Sequence, residues 1–324
     1  MSNEANYNAA SIDRDSVVYV AGHNGLVGSA IWRALETAGF SNLVGRSSKD
    51  LDLRDRQATF EFFRETKPNH VVLAAAKVGG ILANSTFPVD FLSDNLQVQV
   101  NVMDAALEQD VERLLFLGSS CIYPRDAEQP IHEDSLLTGH LEPTNDAYAI
   151  AKIAGILQVQ SVRRQYGRPW ISAMPTNLYG PRDNFSPTGS HVLPALIRRY
   201  DDAARSGAES VTNWGTGAPR REFMHVDDMA SACLYLLDNF DGPQQVNVGT
   251  GQDSTIKEIA ELVADVVGYR GRTEWDASKP DGTPQKLLDV TKLADAGWKA
   301  SIGLQSGLES TVEWYRSNRA SLRG

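Results

Sequence analysis

The sequence predicts an α/β protein: a doubly wound parallel sheet of the Rossmann type, followed by a second, smaller α/β domain. A buried strand over residues 17–21 leads directly into a glycine turn and a helix. Apolar strands and helices then alternate, which is typical of a right-handed, mostly parallel sheet. Beyond residue 181 arginines gather in an otherwise acidic chain. We therefore expect one domain over residues 16–178, also receiving residues 222–249, and a second over residues 179–324.

Length, charge and cysteine content limit the classes of protein. The 324 residues are 42% hydrophobic, enough for a large core. A formal net charge of -10 argues against nucleic acid or an anionic membrane surface as the main partner. Two cysteines are too few for a disulfide framework or a metal-ligand cluster, and no apolar run is long enough to cross a membrane. We expect a cytoplasmic protein without a metal, with residues 1–15 as a flexible lead-in that lacks the features of a signal peptide.

The glycine turn after the first strand is typical of a dinucleotide site. Its glycines let the backbone turn tightly and approach a pyrophosphate, which the N-terminus of the following helix stabilises. The same spacing also serves helix packing, so the flanking strand and helix carry the prediction. The candidate cofactor residues here are Gly22, Asn24, Gly25, Leu26, Val27 and Gly28.

The end of the second strand, over residues 42–45, indicates which nicotinamide cofactor is bound. A preference for NAD usually shows there as an acidic residue that holds the ribose 2′-hydroxyl. This chain has Arg46, Ser47, Ser48 and Lys49 instead. Because cations and hydroxyls suit a 2′-phosphate, we expect NADP(H). The alternative is that Arg46 and Lys49 are solvated loop charges.

The remaining elements follow from apolar periodicity. In the first domain we expect helices through residues 60–63 and from residue 88 to about 110, and strands over residues 71–76, 114–118 and 170–174. Farther along we expect a core helix over residues 226–239 and a strand over 246–248, and then, completing the second domain, a segment over 255–268, a turn over 279–286 and a terminal helix over 304–315. Cys233, in the core helix, is most simply a buried small residue.

The stretch from the fourth strand to the following helix organises the site. The strand ends at Ser119, on the sheet edge where ligands bind in open α/β folds. A helix starting at Asp146 then places Tyr148 and Lys152 on one face. An ammonium group beside a phenol should lower the tyrosine pKa, so the three side chains suit polarising a carbonyl oxygen while hydride or a proton moves. The alternative for Tyr148 and Lys152 is an ordinary surface pair.

Cys121 and His191 are candidates for proton transfer at carbon. Cys121 lies two residues after Ser119, so in an extended segment both side chains point to the same side. A thiol yields some thiolate at neutral pH, and more beside a positive charge. The pKa of histidine brackets neutrality, which makes His191 a natural proton partner. The alternative is a buried structural thiol and a loop histidine.

An anion site is indicated beyond residue 181. Arginines bind a diphosphate through paired hydrogen bonds, and a tryptophan offers a stacking face. The alternative for any single arginine is surface solvation. Within 40 residues the chain carries Arg182, His191, Arg198, Arg199, Trp214, Arg220 and Arg221.

Several segments together resemble a known family. They are GHNGLVGSAI, LAAAKVGGI, LLFLGSSCIYP, LEPTNDAYAIAKIAGI, MPTNLYGP, REFMHVDDMA, NVGTG and DASKPDGTPQKLLDV. Over about residues 16 to 318 they are similar to the GDP-L-fucose synthases, which are extended short-chain dehydrogenases/reductases. GSSCIYP and KPDGTP are far more specific than the glycine turn. The resemblance implies 3,5-epimerisation of GDP-4-keto-6-deoxy-D-mannose and then its NADPH-dependent 4-reduction.

The resemblance also implies roles for individual residues. Ser119, Tyr148 and Lys152 correspond to the Ser-Tyr-Lys set, in which the tyrosine gives a proton to the C4 oxygen and the lysine also holds the nicotinamide ribose. Cys121 and His191 correspond to the base and acid of epimerisation. The matching substrate contacts are Arg199, Trp214, Arg221 and Asp281. The matching cofactor contacts beyond the glycine turn and Arg46 are Leu117, Gly118, Ser119, Lys152, Pro175, Thr176, Asn177, Leu178 and His191.

The chain departs from the family at the 2′-phosphate. Members commonly carry arginine where this chain has Asn24, and often a basic residue at Ser48, so NADP preference should rest mainly on Arg46. One alternative is another nucleotide-sugar 4-epimerase or 4,6-dehydratase of the same fold, which recycles bound NAD. A non-catalytic NADP-binding protein is another, and it would be expected to lose Tyr148 or Lys152. By family analogy we expect a homodimer formed through the helix after Pro88 and the Tyr148 helix.

Overall fold

Strands and helices alternate along the protein, which we describe from a computed structural model for residues 11–187, 189–279 and 281–322. The strands are β1 Val18–Ala21, β2 Leu43–Val44, β3 His70–Leu73, β4 Arg113–Leu117, β5 Ile171–Pro175, β6 Asn177–Tyr179, β7 Ser210–Trp214, β8 Arg220–Arg221, β9 Phe223–His225, β10 Val246–Val248, β11 Ser254–Thr255, β12 Arg272–Asp276 and β13 Gln285–Lys286. The helices are α1 Leu26–Thr37, α2 Arg56–Thr66, α3 Ile81–Thr86, α4 Pro88–Glu108, α5 Asp146–Tyr166, α6 Val192–Ser206, α7 Val226–Asn239, α8 Ile256–Val267, α9 Thr291–Asp295 and α10 Leu304–Asn318. Short 3₁₀ turns cover Ser120–Ile122, Glu133–Ser135 and Arg319–Ser321.

The main sheet has six parallel strands in the order β10-β5-β4-β3-β1-β2. The predicted doubly wound parallel sheet is therefore confirmed. The chain moves outward from β1 to β2 on one side and then returns to β3 on the other, which makes the β1 and β3 carboxyl ends a topological switch point. Ligands of such sheets bind along this edge.

Alternate residues of the central strands enter two separate cores. Val18 and Val20 pack on the side of α1 and α7. Tyr19 and Ala21 pack on the side of α2, α4 and α5. Because both faces are covered by helices, the strands are mostly apolar, as is typical of buried parallel strands.

The later part of the chain builds a third core and smaller sheets. Helices α6, α8 and α10 pack together through Ile197, Ile259 and Leu308, among other residues. Around them lie the pairs β7 with β12 and β6 with β9, and the three-stranded sheet β11-β8-β13. Two elements of the later chain belong with the main sheet instead: α7 packs on α1, and β10 pairs with β5. The boundaries assigned to the two domains stay a prediction.

The expected flexible lead-in over residues 1–15 does not hold for its last five residues. Ile12 is only 6% exposed and belongs to the core beside α1 and α7. The Arg14 guanidinium pairs with the Asp238 carboxylate at 2.7 Å, and Ser11 Oγ donates to the same carboxylate at 2.8 Å. Residues 1–10 lie outside the described residues. The sequence prediction was wrong here because the partner, Asp238, is distant along the chain.

Some element bounds also differ from the prediction. The strand expected over residues 71–76 ends at Leu73, because its register partner on β1 is Ala21, the last residue of that strand. Helix α7 and strand β10 have the expected bounds, and Cys233 is buried. Among the described residues, no helix combines the length and apolar character needed to cross a membrane.

Candidate active site

The candidate site lies at the carboxyl end of β4. Ser119 is extended, and its Oγ accepts a hydrogen bond from the Cys121 backbone N–H at 3.2 Å, which caps the 3₁₀ turn Ser120–Ile122. The expectation of a continuous extended segment was therefore wrong. The chain bends after Ser119 because the serine hydroxyl gives the Cys121 N–H a local hydrogen-bond partner, which competes with continuation of the strand. The bend still brings the serine hydroxyl and the cysteine side chain together.

The Cys121 thiol lies among hydrogen-bond donors from three parts of the chain. The amide nitrogen of Asn145, at the N-terminus of α5, is 3.3 Å from Sγ, and Lys286 Nζ, on β13, is 3.5 Å from it. Burial on its own raises the thiol pKa, but the Lys286 charge and hydrogen bonds from Ser119, Lys286 and Asn145 outweigh it. The net pKa lies below the ordinary value of a thiol. This thiol is therefore set up to ionise, which a structural cysteine is not.

Tyr148 and Lys152 occupy one face of α5, as predicted. Lys152 Nζ donates to the Leu117 carbonyl at 2.9 Å and lies 5.9 Å from the centre of the Tyr148 ring. Burial lowers the Lys152 pKa to about 7. Burial also raises the Tyr148 pKa, and negative charge at Cys121 raises it further, while a hydrogen bond with Ser119 opposes both.

The expectation that Lys152 lowers the tyrosine pKa is therefore wrong for the polypeptide. The cause is desolvation, because the buried phenolate would lose its water, and the lysine directs its ammonium group at a carbonyl instead. Tyr148 is consequently a protonated phenol near neutral pH. That is the form a proton donor needs.

His191 is the residue that precedes α6, and its exposed side chain makes no capping hydrogen bond. Its neighbour Ser190 approaches the turn after β3, since the Ser190 carbonyl lies 3.0 Å from where a Cβ on Gly80 would be. The adjacent Gly79 borders Phe91, whose ring meets that of Tyr148 at 6.4 Å. Among the described residues, no hydrogen bond joins the His191 ring to Cys121 or Tyr148.

The turn between β1 and α1 has the shape that a pyrophosphate needs. Gly22 has a φ of +86°, and a Cβ on it would lie 2.8 Å from the Ala75 backbone nitrogen. A Cβ on Gly28 would lie 2.2 Å from the Gly22 carbonyl oxygen, so the helix starts directly against the turn. Gly25 caps α1 with no side-chain hydrogen bond. The first helix N–H groups are thus left to bind an anion, and the residues present fit a dinucleotide.

The residues beside this turn continue the predicted cofactor site. Asn24 is exposed, and Leu26 and Val27 open α1 while packing on the core. Arg46 is exposed just after β2, with its guanidinium 5.5 Å from the Phe62 ring centre. One nitrogen donates to the Gly45 carbonyl at 3.0 Å, and an exposed guanidinium oriented in this way suits a phosphate. Burial lowers the pKa of His23 in this turn, and the nearby charges of Arg46 and of Arg182, which was predicted to join the diphosphate group, lower it further.

The predicted nicotinamide loop links the main sheet to β8 and β9. Pro175 ends β5, and Thr176 N–H donates to the Val248 carbonyl at 3.0 Å. The Asn177 amide donates to the Glu222 carbonyl at 2.8 Å. Leu178 packs on the core beside α1 and α7. A Cβ on Gly118 would lie 2.3 Å from Met174 Cε, so the end of that side chain would have to move aside.

Most of the predicted substrate residues converge on the ends of β7 and β8. The Asp281 carboxylate accepts hydrogen bonds from Thr216 N–H at 2.9 Å and Thr216 Oγ1 at 2.6 Å, and it acts electrostatically on Arg221. Burial lowers the pKa of Arg221, with Asp281 opposing. Trp214 is 70% exposed, and Lys279 Nζ lies 5.7 Å from the centre of its ring.

Not every arginine of the predicted group belongs to this cluster. Arg199 donates to the Asn213 side chain at 2.6 Å, next to Trp214 in sequence. Arg198 instead donates to the Phe185 carbonyl at 2.9 Å, and Arg220 pairs with Asp253 at 2.7 Å. The last two thus have partners away from Trp214 and Asp281.

Sequence reasoning missed two residues of the site, Asn145 and Lys286. In the β8–β13 pair Lys286 is the register partner of Arg221, so a residue beside the substrate cluster reaches the thiol. The signal was present, because Lys286 ends the distinctive KPDGTPQK segment and Asn145 precedes the Asp146 helix start. Neither contact is visible without the fold.

Comparisons with known proteins agree with this arrangement. The chain is 58% identical over 307 residues to GDP-L-fucose synthase 1 of Arabidopsis thaliana, covering 94% of this chain and 95% of that one. It is 53% identical to GDP-L-fucose synthase of Escherichia coli (strain K12), covering 95% and 98%. A solved GDP-L-fucose synthetase from Naegleria fowleri bound to NADP superposes with a TM-score of 0.91 at 28% identity, covering 100% and 99%.

These relatives confirm the resemblance to the GDP-L-fucose synthases. The broader family model, described as the NAD dependent epimerase/dehydratase family, matches residues 18–249. That match takes in the glycine turn, the Ser119 turn, the α5 helix and the nicotinamide loop. The chain therefore belongs to the NAD dependent epimerase/dehydratase family.

Proposed function

We propose that the protein converts GDP-4-dehydro-6-deoxy-D-mannose to GDP-L-fucose by 3,5-epimerisation followed by NADPH-dependent 4-reduction. The observation that carries the proposal is the Cys121 thiol, whose pKa is lowered and which lies beside the hydroxyl groups of Ser119 and Tyr148. A dehydrogenase without an epimerase step needs the hydroxyl groups but not an ionised thiol. The curated relatives with this function cover nearly the whole chain.

The epimerase step uses the acidity of hydrogens next to a ketone. Ser119 and Tyr148 donate hydrogen bonds to the C4 oxygen, which stabilises the negative charge that develops there. Cys121 removes the proton from C3 or C5 as a thiolate, so that a C–H bond breaks, an S–H bond forms and the electron pair moves to the oxygen. His191 returns a proton on the opposite face, first at one carbon and then at the other.

The reduction step uses the same oxygen site. NADPH, when bound, supplies hydride to C4. Tyr148 gives its proton to the C4 oxygen, since its phenol is protonated near neutral pH. Lys152 holds the nicotinamide ribose, and its buried position beside the Leu117 carbonyl fixes where the ammonium group lies.

The cofactor is NADP(H). The glycine turn fits a pyrophosphate, and the exposed Arg46 guanidinium fits a 2′-phosphate. The solved relative from Naegleria fowleri has NADP bound. Under this proposal residues 16–178 with 222–249 hold the cofactor and residues 179–324 hold the GDP-sugar. The nicotinamide end of the cofactor lies beside Pro175 to Leu178.

A homodimer and a cytoplasmic location belong to the same proposal. Helices α4 and α5 pack on each other, with the Gln99 amide donating to the Ala151 carbonyl at 2.7 Å, and both expose apolar residues on their outer side. Those residues are Val89, Val100, Ile150 and Leu157. Pairing the two helices with those of a second copy would cover this face. Sedimentation equilibrium should give twice the chain mass of 35.4 kDa, and a monomer would contradict the pairing.

The reaction in heavy water tests the proposed function. The protein, NADPH and GDP-4-dehydro-6-deoxy-D-mannose should give GDP-L-fucose with deuterium at both C3 and C5, read by mass spectrometry and NMR. Reduction that leaves no deuterium at C3 and C5 would contradict the epimerisation step. A reaction that needs no added NADPH would instead point to the 4-epimerase or 4,6-dehydratase alternative, in which bound NAD is recycled.

A further inference from the structure

The Cys121 sulfur receives a charged hydrogen bond from the later part of the chain. Lys286 Nζ is 3.5 Å from Sγ, although the two residues are 165 positions apart. The other groups that hydrogen-bond to the thiol are neutral: the Asn145 amide, 3.3 Å from Sγ, and the Ser119 hydroxyl. Of the three, only Lys286 brings a positive charge.

The strand that carries Lys286 is fixed by contacts of its neighbours. The Gln285 amide donates to the Asp253 carboxylate at 2.6 Å, and Leu287 N–H donates to the Gln129 side chain at 2.8 Å. Leu288 N–H donates to the Glu222 carboxylate at 3.1 Å. With β13 also paired to β8, the backbone on both sides of the lysine is held. A lysine on a fixed strand delivers its charge to a fixed point.

The titratable groups that face the thiol are few. Lys286 comes from β13 and Tyr148 from α5, while Ser119 and Asn145 are neutral donors. Within the described chain, no ion pair with a carboxylate includes Lys286, whereas Lys292 of the same region lies near Glu133. The Lys286 charge is thus directed at the sulfur and not neutralised by an acid.

We propose that Lys286 is a positioning residue for epimerisation, which holds Cys121 as the thiolate that removes the substrate proton. The proposal rests on the proposed function. In each cycle the C–H bond breaks and an S–H bond forms, and the thiol then loses its proton to solvent while Lys286 keeps its own. Hydride transfer at C4 does not depend on this pair, because its proton comes from Tyr148.

The first test needs no substrate. The alkylation rate of Cys121 by iodoacetamide, followed across pH in the full-length protein by peptide mass spectrometry, gives the pKa of this thiol separately from that of Cys233. In Lys286→Met the midpoint should rise by about one unit or more, which lowers the rate at pH 7 about tenfold. Lys286→Arg keeps a positive charge and should stay near the wild-type midpoint. The exposed Lys299 gives a matched control, so Lys299→Met should change nothing.

The second test uses the reaction. In Lys286→Met, deuterium uptake at C3 and C5 should fall about tenfold at pH 7 and recover as the pH rises through the new midpoint. An unchanged thiol midpoint in Lys286→Met would overturn the proposal, even if activity is lost, because the lysine would then act on substrate directly. If the thiol midpoint shifts in Lys286→Met but the wild-type protein itself shows no deuterium uptake, the result would support the thiolate pair and contradict the proposed function.

Discussion

Of the two cysteines of this protein, Cys233 is buried and Cys121 half-buried, and their surroundings push their ionisation in opposite directions. Cys233 lies inside α7 among apolar residues, and burial raises its pKa. Cys121 lies at the end of β4, where Lys286 and the donors Ser119 and Asn145 overcome the same burial and lower its pKa. The comparison shows that burial alone does not make a thiol inert. The charge placed within hydrogen-bond distance decides whether it is reactive.

The largest effect is expected from Cys121→Ser. A serine hydroxyl is a far weaker acid than a thiol and supplies no base at neutral pH, so deuterium uptake at C3 and C5 should fall by about 10²–10⁴-fold. Hydride transfer to the unepimerised ketone should continue, measured as NADPH oxidation. If both activities survive, Cys121 is not the base that removes the substrate proton.

Tyr148→Phe extends the comparison, because Tyr148 lies half-buried beside Cys121 but has a raised pKa. Removing the phenol takes away the proton donor for the C4 oxygen, and reduction should fall by about 10²–10⁴-fold. NADPH binding, followed by its fluorescence, should be nearly unchanged, since the glycine turn and Lys152 remain. A reduction rate equal to that of the wild type would contradict the assigned role.

A smaller effect concerns stability at alkaline pH. The pKa of Cys233 is raised on folding. Its contribution to the free energy of unfolding is therefore complete below the pKa of the unfolded thiol, about 8.5, and is lost as the pH rises above that value. From pH 7 to 9.5 the wild type should lose about 1 kcal/mol more unfolding free energy than Cys233→Ala. Urea unfolding at the two pH values measures this. The sign is opposite for Cys121, whose lowered pKa adds stability that disappears as the pH falls through the folded value.

Local patterns were enough for much of the fold and part of the site. The strand, glycine turn and helix at the start of the chain, and the bounds of α7 and β10, follow from apolar periodicity and turn residues. The shared face of Tyr148 and Lys152 follows from helical spacing alone. Each of these features depends on residues close together in the sequence.

Features that depend on distant residues were not predictable. Lys286 meets Cys121 only because β13 pairs with β8 in the register that the fold imposes. The Tyr148 pKa was assigned the wrong direction because desolvation depends on how many groups surround the ring. Residues 11–15 appeared polar and free, but Asp238 on α7 holds them.

The most direct test of this account is a pH titration of both thiols in one sample. Protein labelled with ¹³C at the cysteine β-carbon gives one NMR signal for Cys121 and one for Cys233, each reporting its own ionisation. The account predicts that the Cys121 signal titrates below the ordinary thiol value of about 8.5, while the Cys233 signal does not move up to about pH 10. A Cys121 midpoint at or above the ordinary value would contradict it.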